Sequence, residues 1–307
     1  MNRPAVAPLQ QDKTPDRGAA ASGDNRPKRH APAPFFMLGC VRSGTTMLRD
    51  ALRMHPNLAC PEETHFFRWG EPYGTEAMMR SLSSNPVLKK HRGIDGITEA
   101  EFTELLLQCT SRAELYYRYM TLYMKRNKPD ARRWFDKTPQ NVYGAMLAAS
   151  SMPRARFVHI VREPLNVVAS LHIGRVMKVP SVVGGCNYWN EAVQIVAGLK
   201  RAYPGRVYEL RYEDFVAQPL DQMRLLLDFI GESFDDKWFV DLKIRPSDHQ
   251  DEGVLTPEEQ ADVRRLCAAG RLRYGYEPAK PAPVAGVGIS NKVPGARPVT
   301  GASRASS

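Results

Sequence analysis

The stretch Phe35-Phe36-Met37-Leu38-Gly39-Cys40-Val41-Arg42-Ser43-Gly44-Thr45-Thr46-Met47-Leu48 decides the fold. It opens as a short apolar run, the pattern of a strand buried on both faces of a parallel sheet. The run breaks at Gly39, and from Gly44 apolar residues return at helical spacing in Leu48, Ala51 and Leu52. This predicts a strand over 35–40, a tight loop, and a helix over 44–55. Such a context suits a phosphate-binding loop, and Gly39 and Gly44 stand at the spacing of the two glycines in G-x-x-x-x-G-K-[ST]. Backbone N–H groups of the loop and the positive end of the helix then face an anion. Thr45 occupies the place where a triphosphate-hydrolysing loop carries its lysine, and Arg42 sits earlier in the loop instead. The same letters also fit an ordinary Gly-rich turn between strand and helix.

Outward from this stretch, strands and helices alternate. Asn57 to Cys60 reads as a second strand, parallel to the first because the intervening helix carries the chain back. Residues 65–97 read as loop-like, and 99–126 as one or two amphipathic helices whose tyrosine-rich stripe belongs to the core. Arg133-Trp134-Phe135 is a third strand, with a helix opening at Pro139. Arg156 to Val161 is a fourth strand and Arg206 to Leu210 a fifth, with helices after each. Thr256-Pro257-Glu258-Glu259 is a helix start, an N-cap with a proline and a capping glutamate behind it. The pattern predicts a three-layer α/β domain with a central parallel sheet flanked by helices. In such sheets ligands bind beyond the carboxyl ends of the strands. Arg42, Glu63, Lys137, Arg162 and Tyr212 each follow a predicted strand by one to four residues, so they converge on one edge.

Composition narrows the class. The 307 residues carry a net charge of +10, of which residues 1–34 supply +3 and 279–307 supply +4. The remaining +3 suits a site for a small anion better than a nucleic-acid surface. The Pro- and Ala-rich ends predict disordered tails at 1–33 and 279–307 around a single domain at 34–278. Five dispersed cysteines without a C-x-x-C argue against a disulfide framework and a zinc site. No apolar leader region or membrane-length run is present, so a cytoplasmic protein without a membrane span is expected.

Arg42-Ser43-Gly44-Thr45-Thr46 resembles the loop by which sulfotransferases hold the 5′-phosphosulfate of 3′-phosphoadenosine 5′-phosphosulfate. The run through His55-Pro56 to Glu62-Glu63-Thr64 is similar to the tyrosylprotein branch of that family, and the resemblance covers roughly residues 35–231. It implies a P-loop-like fold and sulfuryl transfer to a phenol, peptide tyrosine, sugar or small metabolite, without a metal. It further implies Glu63 as base, with His65 in reserve, and Lys137 of the Lys-x-Pro motif at the bridging oxygen, aided by Arg42. Arg162 and Ser170, eight residues apart, match the family's 3′-phosphate site, and Tyr212 a tyrosine that contacts the nucleotide. The segment covering the donor is not evident, and Leu242 to Ser247 with Arg245 is its candidate. Two other readings stay open: a P-loop nucleoside kinase or NTPase, which Thr45 disfavours, and a basic nucleic-acid-binding protein, supported only by the tails. The leading reading calls for no nucleic acid and admits a homodimer.

Overall fold

Strand β1 (Phe35–Leu38) is buried along its whole length, as an apolar run without polar alternation requires. The computed structural model that shows this describes residues 32–174, 177–246 and 253–276. The tails expected at 1–33 and 279–307 lie, but for residues 32 and 33, outside the described residues. Helix α1 (Thr45–Arg53) follows β1, and β2 (Leu58–Ala59) is shorter than the expected strand.

The segment expected to be loop-like instead holds α2 (Glu76–Ser83) and α3 (Pro86–Ile94). Their starts were encoded by caps rather than by periodicity. The Thr75 side chain accepts from the Met78 N–H, and Asn85 accepts from Val87 and Leu88 ahead of Pro86 at the first turn. Two short helices with few apolar residues each give too little period to read.

Helices α4 (Glu99–Gln108) and α5 (Arg112–Asn127) follow, then β3 (Arg133–Lys137), a 3₁₀ turn over Pro139–Gly144, and α6 (Ala145–Ser151). Next come β4 (Arg156–Val161), α7 (Pro164–Ile173), α8 (Val182–Ala202), β5 (Val207–Arg211), α9 (Tyr212–Ala217) and α10 (Pro219–Ile230). Gly231 ends α10 at φ 78°, the left-handed cap that glycine adopts most easily. Helices α11 (Pro257–Leu266), capped by Thr256 and Glu259, and α12 (Ala268–Arg273) close the described chain.

The five strands form one parallel sheet in the order β2-β3-β1-β4-β5. β2 is parallel to β1, as expected, but β3 lies between them. From β1 the chain runs first to one side and later to the other, so the loop after β1 sits where the strand order reverses. That is where open α/β sheets bind ligands.

Alternation along β1 splits the core into two layers. Phe35 and Met37 pack with Leu48 and Leu52 of α1 and Leu226 and Leu227 of α10. Phe36 and Leu38 face Tyr116, Trp134, Trp189 and α7. Phe36 meets the Phe67, Tyr116 and Trp134 rings edge-on at 5.2–5.9 Å, a favoured aromatic geometry. The tyrosine stripe of α5 is core, as expected. The five cysteines are free and buried. Among the described residues no helix is long and apolar enough to cross a membrane.

Candidate active site

The loop after β1 bends sharply. Arg42 sits in the left-handed region at φ 70° and Gly44 at φ 86°. A Cβ at Gly44 would fall 2.4 Å from a Tyr212 ring carbon, so loop and aromatic ring approach as closely as glycine allows. Gly44→Ala should therefore destabilise the protein by about 1–2 kcal/mol from backbone handedness alone, with the ring clash added. The denaturation midpoint tests this, and an unchanged midpoint would mean that Tyr212 gives way freely.

No side chain caps α1, and its first turn holds no acidic residue. Its N–H groups and positive dipole end are thus available to an anion. The Ser43 hydroxyl beside them is buried without a hydrogen-bond partner, a donor in want of an acceptor.

Arg42 Nε donates to Ser170 Oγ at 2.9 Å. Arg162 Nη1 donates to the Arg42 carbonyl at 3.3 Å, and its guanidinium lies 4.4 Å from the Tyr212 ring centre. The loop after β1, the end of β4, α7 and the start of α9 therefore bring together Arg42, Arg162, Ser170 and Tyr212, which are distant in sequence. The Arg42 guanidinium leans on Ser170.

A supporting shell fixes these groups. Trp189 Nε1 donates to the Arg162 carbonyl at 2.9 Å. The Glu163 N–H and the Tyr276 hydroxyl both donate to the Glu213 carboxylate, at 2.9 and 2.8 Å. Arg271 Nε pairs with Glu163 at 2.9 Å, with both side chains buried. Glu163 is therefore no surface turn residue. Nothing in the sequence pairs it with an arginine 108 residues away.

A cavity of about 540 Å³ opens over this surface, lined by Arg42, Gly44, Thr45, Thr46, Arg162 and Tyr212. Leu242, Lys243 and Arg245, from the candidate donor-covering segment, also line it; Ser247 lies outside the described residues. Lys243 was not singled out, being an unremarkable surface lysine in the sequence.

A second cavity, of about 340 Å³, adjoins the first at Arg42, Thr45 and Thr46, which line both. Glu63, His65 and Arg68 line it together with Val41, Leu88, Pro139 and Met177. His65 and Arg68 thus face the cavity, whereas Phe66 and Phe67 between them are buried in the core.

Glu63 stands between two partners. Its Oε1 contacts the Lys137 ammonium, and its Oε2 lies 3.3 Å from His65 Nε2. Lys137 also reaches Thr46 Oγ1 at 3.5 Å. Burial would raise the Glu63 carboxyl, but the His65 hydrogen bond and the Lys137 charge overcome it and hold the group at about 2. Burial pushes His65 below its usual value, only partly offset by Glu63. A neutral imidazole beside an ionised carboxylate donates through Nε2–H. His65 thereby orients Glu63, and its own Nδ1 is buried without a partner. Glu62, the other acid of the pair, points elsewhere: Arg49 and Arg53 bind it at 2.9 and 3.2 Å.

The chain is similar to proteins already known. A family model described as the sulfotransferase family matches residues 34–236. The chain is 25% identical over 315 residues to an omega-hydroxy-beta-dihydromenaquinone-9 sulfotransferase, Stf3, of Mycobacterium tuberculosis, covering 82% of this chain and 78% of that protein. It is 27% identical over 213 residues to protein-tyrosine sulfotransferase 2 of Gallus gallus, covering 66% of this chain and 52% of that one. Among solved structures, the sulfotransferase domain of the Synechococcus PCC 7002 olefin synthase shares the fold, with a TM-score of 0.59 and 22% identity over 82% of this chain and 98% of that domain.

Proposed function

Since this chain belongs to the sulfotransferase family, we propose that it transfers a sulfuryl group from 3′-phosphoadenosine 5′-phosphosulfate to an acceptor hydroxyl by in-line displacement, with Glu63 as base. The observation that carries this reading is the meeting of two cavities at Arg42, Thr45 and Thr46, with Glu63 on the wall of the smaller one and its partner Lys137 3.5 Å from the shared Thr46. In-line transfer needs donor and acceptor held on opposite sides of the moving group.

The donor fits the larger cavity. Ser43, the uncapped start of α1 and the loop N–H groups suit its 5′-phosphosulfate, and Arg162 with Ser170 suits its 3′-phosphate. Tyr212 and the 242–245 wall flank the nucleoside. Glu63 removes the acceptor proton as the acceptor oxygen bonds to sulfur. Lys137 donates to the bridging oxygen as its bond to sulfur breaks, and Arg42 adds positive charge nearby. The products are the sulfated acceptor and adenosine 3′,5′-bisphosphate. The smaller cavity, with its apolar wall, takes a hydroxyl-bearing acceptor from among phenols, peptide tyrosines, sugars and small metabolites.

Calorimetry tests the donor assignment. Adenosine 3′,5′-bisphosphate should bind more tightly than adenosine 5′-monophosphate, because Arg162 and Ser170 read the extra phosphate. Arg162→Ala should forfeit about 1.5–3 kcal/mol of that binding, the range for hydrogen bonds to charged groups. Equal affinities for the two nucleotides would sink the assignment.

The domain boundaries belong to the same proposal. A chain cut to residues 34–278 should melt cooperatively and keep its affinity for adenosine 3′,5′-bisphosphate, because Arg271 and Tyr276, which brace Glu163 and Glu213, are retained. Loss of the cooperative transition would show that the tails belong to the domain.

A further inference from the structure

On the side of the chain facing away from the cavities, the Lys137 segment is bound to the Glu63 segment a second time. Lys137 meets Glu63, while its neighbours on both sides, Asp136 and Thr138, reach Thr64. The Thr64 N–H donates to Thr138 Oγ1 at 2.9 Å, and the Thr64 hydroxyl donates to Asp136 Oδ1 at 2.9 Å. The Thr138 hydroxyl donates to the same Oδ1 at 3.2 Å, and Asn141 Nδ2 donates to Asp136 Oδ2 at 2.9 Å. Asn141 also donates to the Tyr116 hydroxyl at 2.7 Å and accepts from the Phe67 N–H at 3.1 Å.

The donors allow only one consistent direction. Both Asn141 amide hydrogens are used, so Tyr116 accepts one and passes its own proton to Thr64 Oγ1, 2.8 Å away. Every chain of donors therefore ends on Asp136, which is fully buried and must accept from all of them. An amide at this position would set an N–H₂ against another donor. Between Thr64 and Phe67, His65 is held in the left-handed region at φ 58°, a conformation that persists only where its surroundings impose it.

We propose that Asp136 is a positioning residue for the transfer reaction: through Thr64 and Thr138 its carboxylate fixes the Glu63–Lys137 register on which proton removal and leaving-group assistance depend. The proposal rests on the roles given above to Glu63 and Lys137. A carboxylate buried for strength alone is a poor bargain, since well-packed apolar groups usually do as well or better. A directional bracket behind a reacting pair gives it a purpose.

The test uses the full chain and Asp136→Asn, alone and combined with Glu63→Gln. Turnover is read as release of adenosine 3′,5′-bisphosphate from the donor, with unsubstituted phenol as acceptor and with water alone as the background. Asp136→Asn should lower turnover by about 10²-fold, the cost of a small misplacement, with the Kd for adenosine 3′,5′-bisphosphate unchanged. In the Glu63→Gln background its further loss should be clearly smaller, because only Lys137 then remains to be positioned. Thr138→Val should reproduce the defect and Thr138→Ser should not, which keeps the test open if Asp136→Asn fails to fold. Equal fold-losses in both backgrounds, or full turnover in Asp136→Asn or Thr138→Val, would overturn the proposal. Full turnover in Glu63→Gln alone would instead overturn the assignment of the base.

Discussion

Glu63→Gln should lower turnover by about 10²–10⁴-fold, the usual share of general base catalysis, while leaving affinity for adenosine 3′,5′-bisphosphate almost unchanged. The side chain lies on the wall of the smaller cavity, and the contacts proposed for the nucleotide's phosphates lie in the larger one. Glutamine keeps the shape, and its one amide oxygen can still accept from Lys137; its N–H₂ then faces His65 Nε2, which accepts once the neutral ring carries its proton on Nδ1, so the fold is spared. The change removes one negative charge beside the transferring group, so donor binding should, if altered at all, tighten. A more acidic acceptor needs less help in losing its proton. Turnover measured over phenols of graded pKa should therefore recover for Glu63→Gln as the phenol becomes more acidic. Should Glu63→Gln retain near-full activity on every acceptor, the base lies elsewhere, and His65→Ala is the next variant to measure.

Lys137→Ala is expected to be comparably damaging, about 10²–10³-fold, as when a donor to a developing charge is removed, and to differ from Glu63→Gln in two ways. Its defect lies at the leaving oxygen, so acidic phenols should not rescue it. Its pH profile should also change. The working form of Glu63 is the carboxylate, present above its pKa. With the carboxyl held at about 2, the corresponding acid limb of the wild-type rate falls below any practical pH. Removing Lys137 takes away one of the two influences that oppose burial, and the carboxyl then titrates at higher pH. The acid limb should move upward into the measurable range, with activity lost as pH falls through it. An acid limb in Lys137→Ala no higher than that of the wild type would show that the ammonium does not hold Glu63 in its ionised form.

The backbone plan was legible in the sequence because it rests on local signals. The apolar run at 35–38, the glycine break and the helical period after Gly44 are all within eighteen residues, and each has a direct structural cause. The rule that parallel sheets bind ligands beyond their strand ends then gathers Arg42, Glu63, Lys137, Arg162 and Tyr212 onto one edge. The residue types mattered as much as their positions, since arginines and a buried lysine suit phosphate and sulfate oxygens. The misses were of a different kind. Helices α2 and α3 are too short for periodicity to declare them, although Thr75 and Asn85 mark where they start.

Only the folded chain decided how these residues address one another. The sequence brought Glu62 and Glu63 forward as a pair; packing gives Glu62 to Arg49 and Arg53, and Glu63 to Lys137 and His65. It brought Arg162 forward with Glu163 at its side; packing sets Arg162 over Tyr212 and buries Glu163 against Arg271, 108 residues on. Asp136 stands in sequence as one acid before a lysine, and its network closes only when β3, the turn after β2 and α5 meet. The reason is the range of the forces involved. Backbone propensity and hydrophobic period act over a few neighbouring residues, so they can be read along the chain. Ion pairing, desolvation and hydrogen-bond direction depend on which groups share a few ångströms of buried space, and the sheet order β2-β3-β1-β4-β5 decides that.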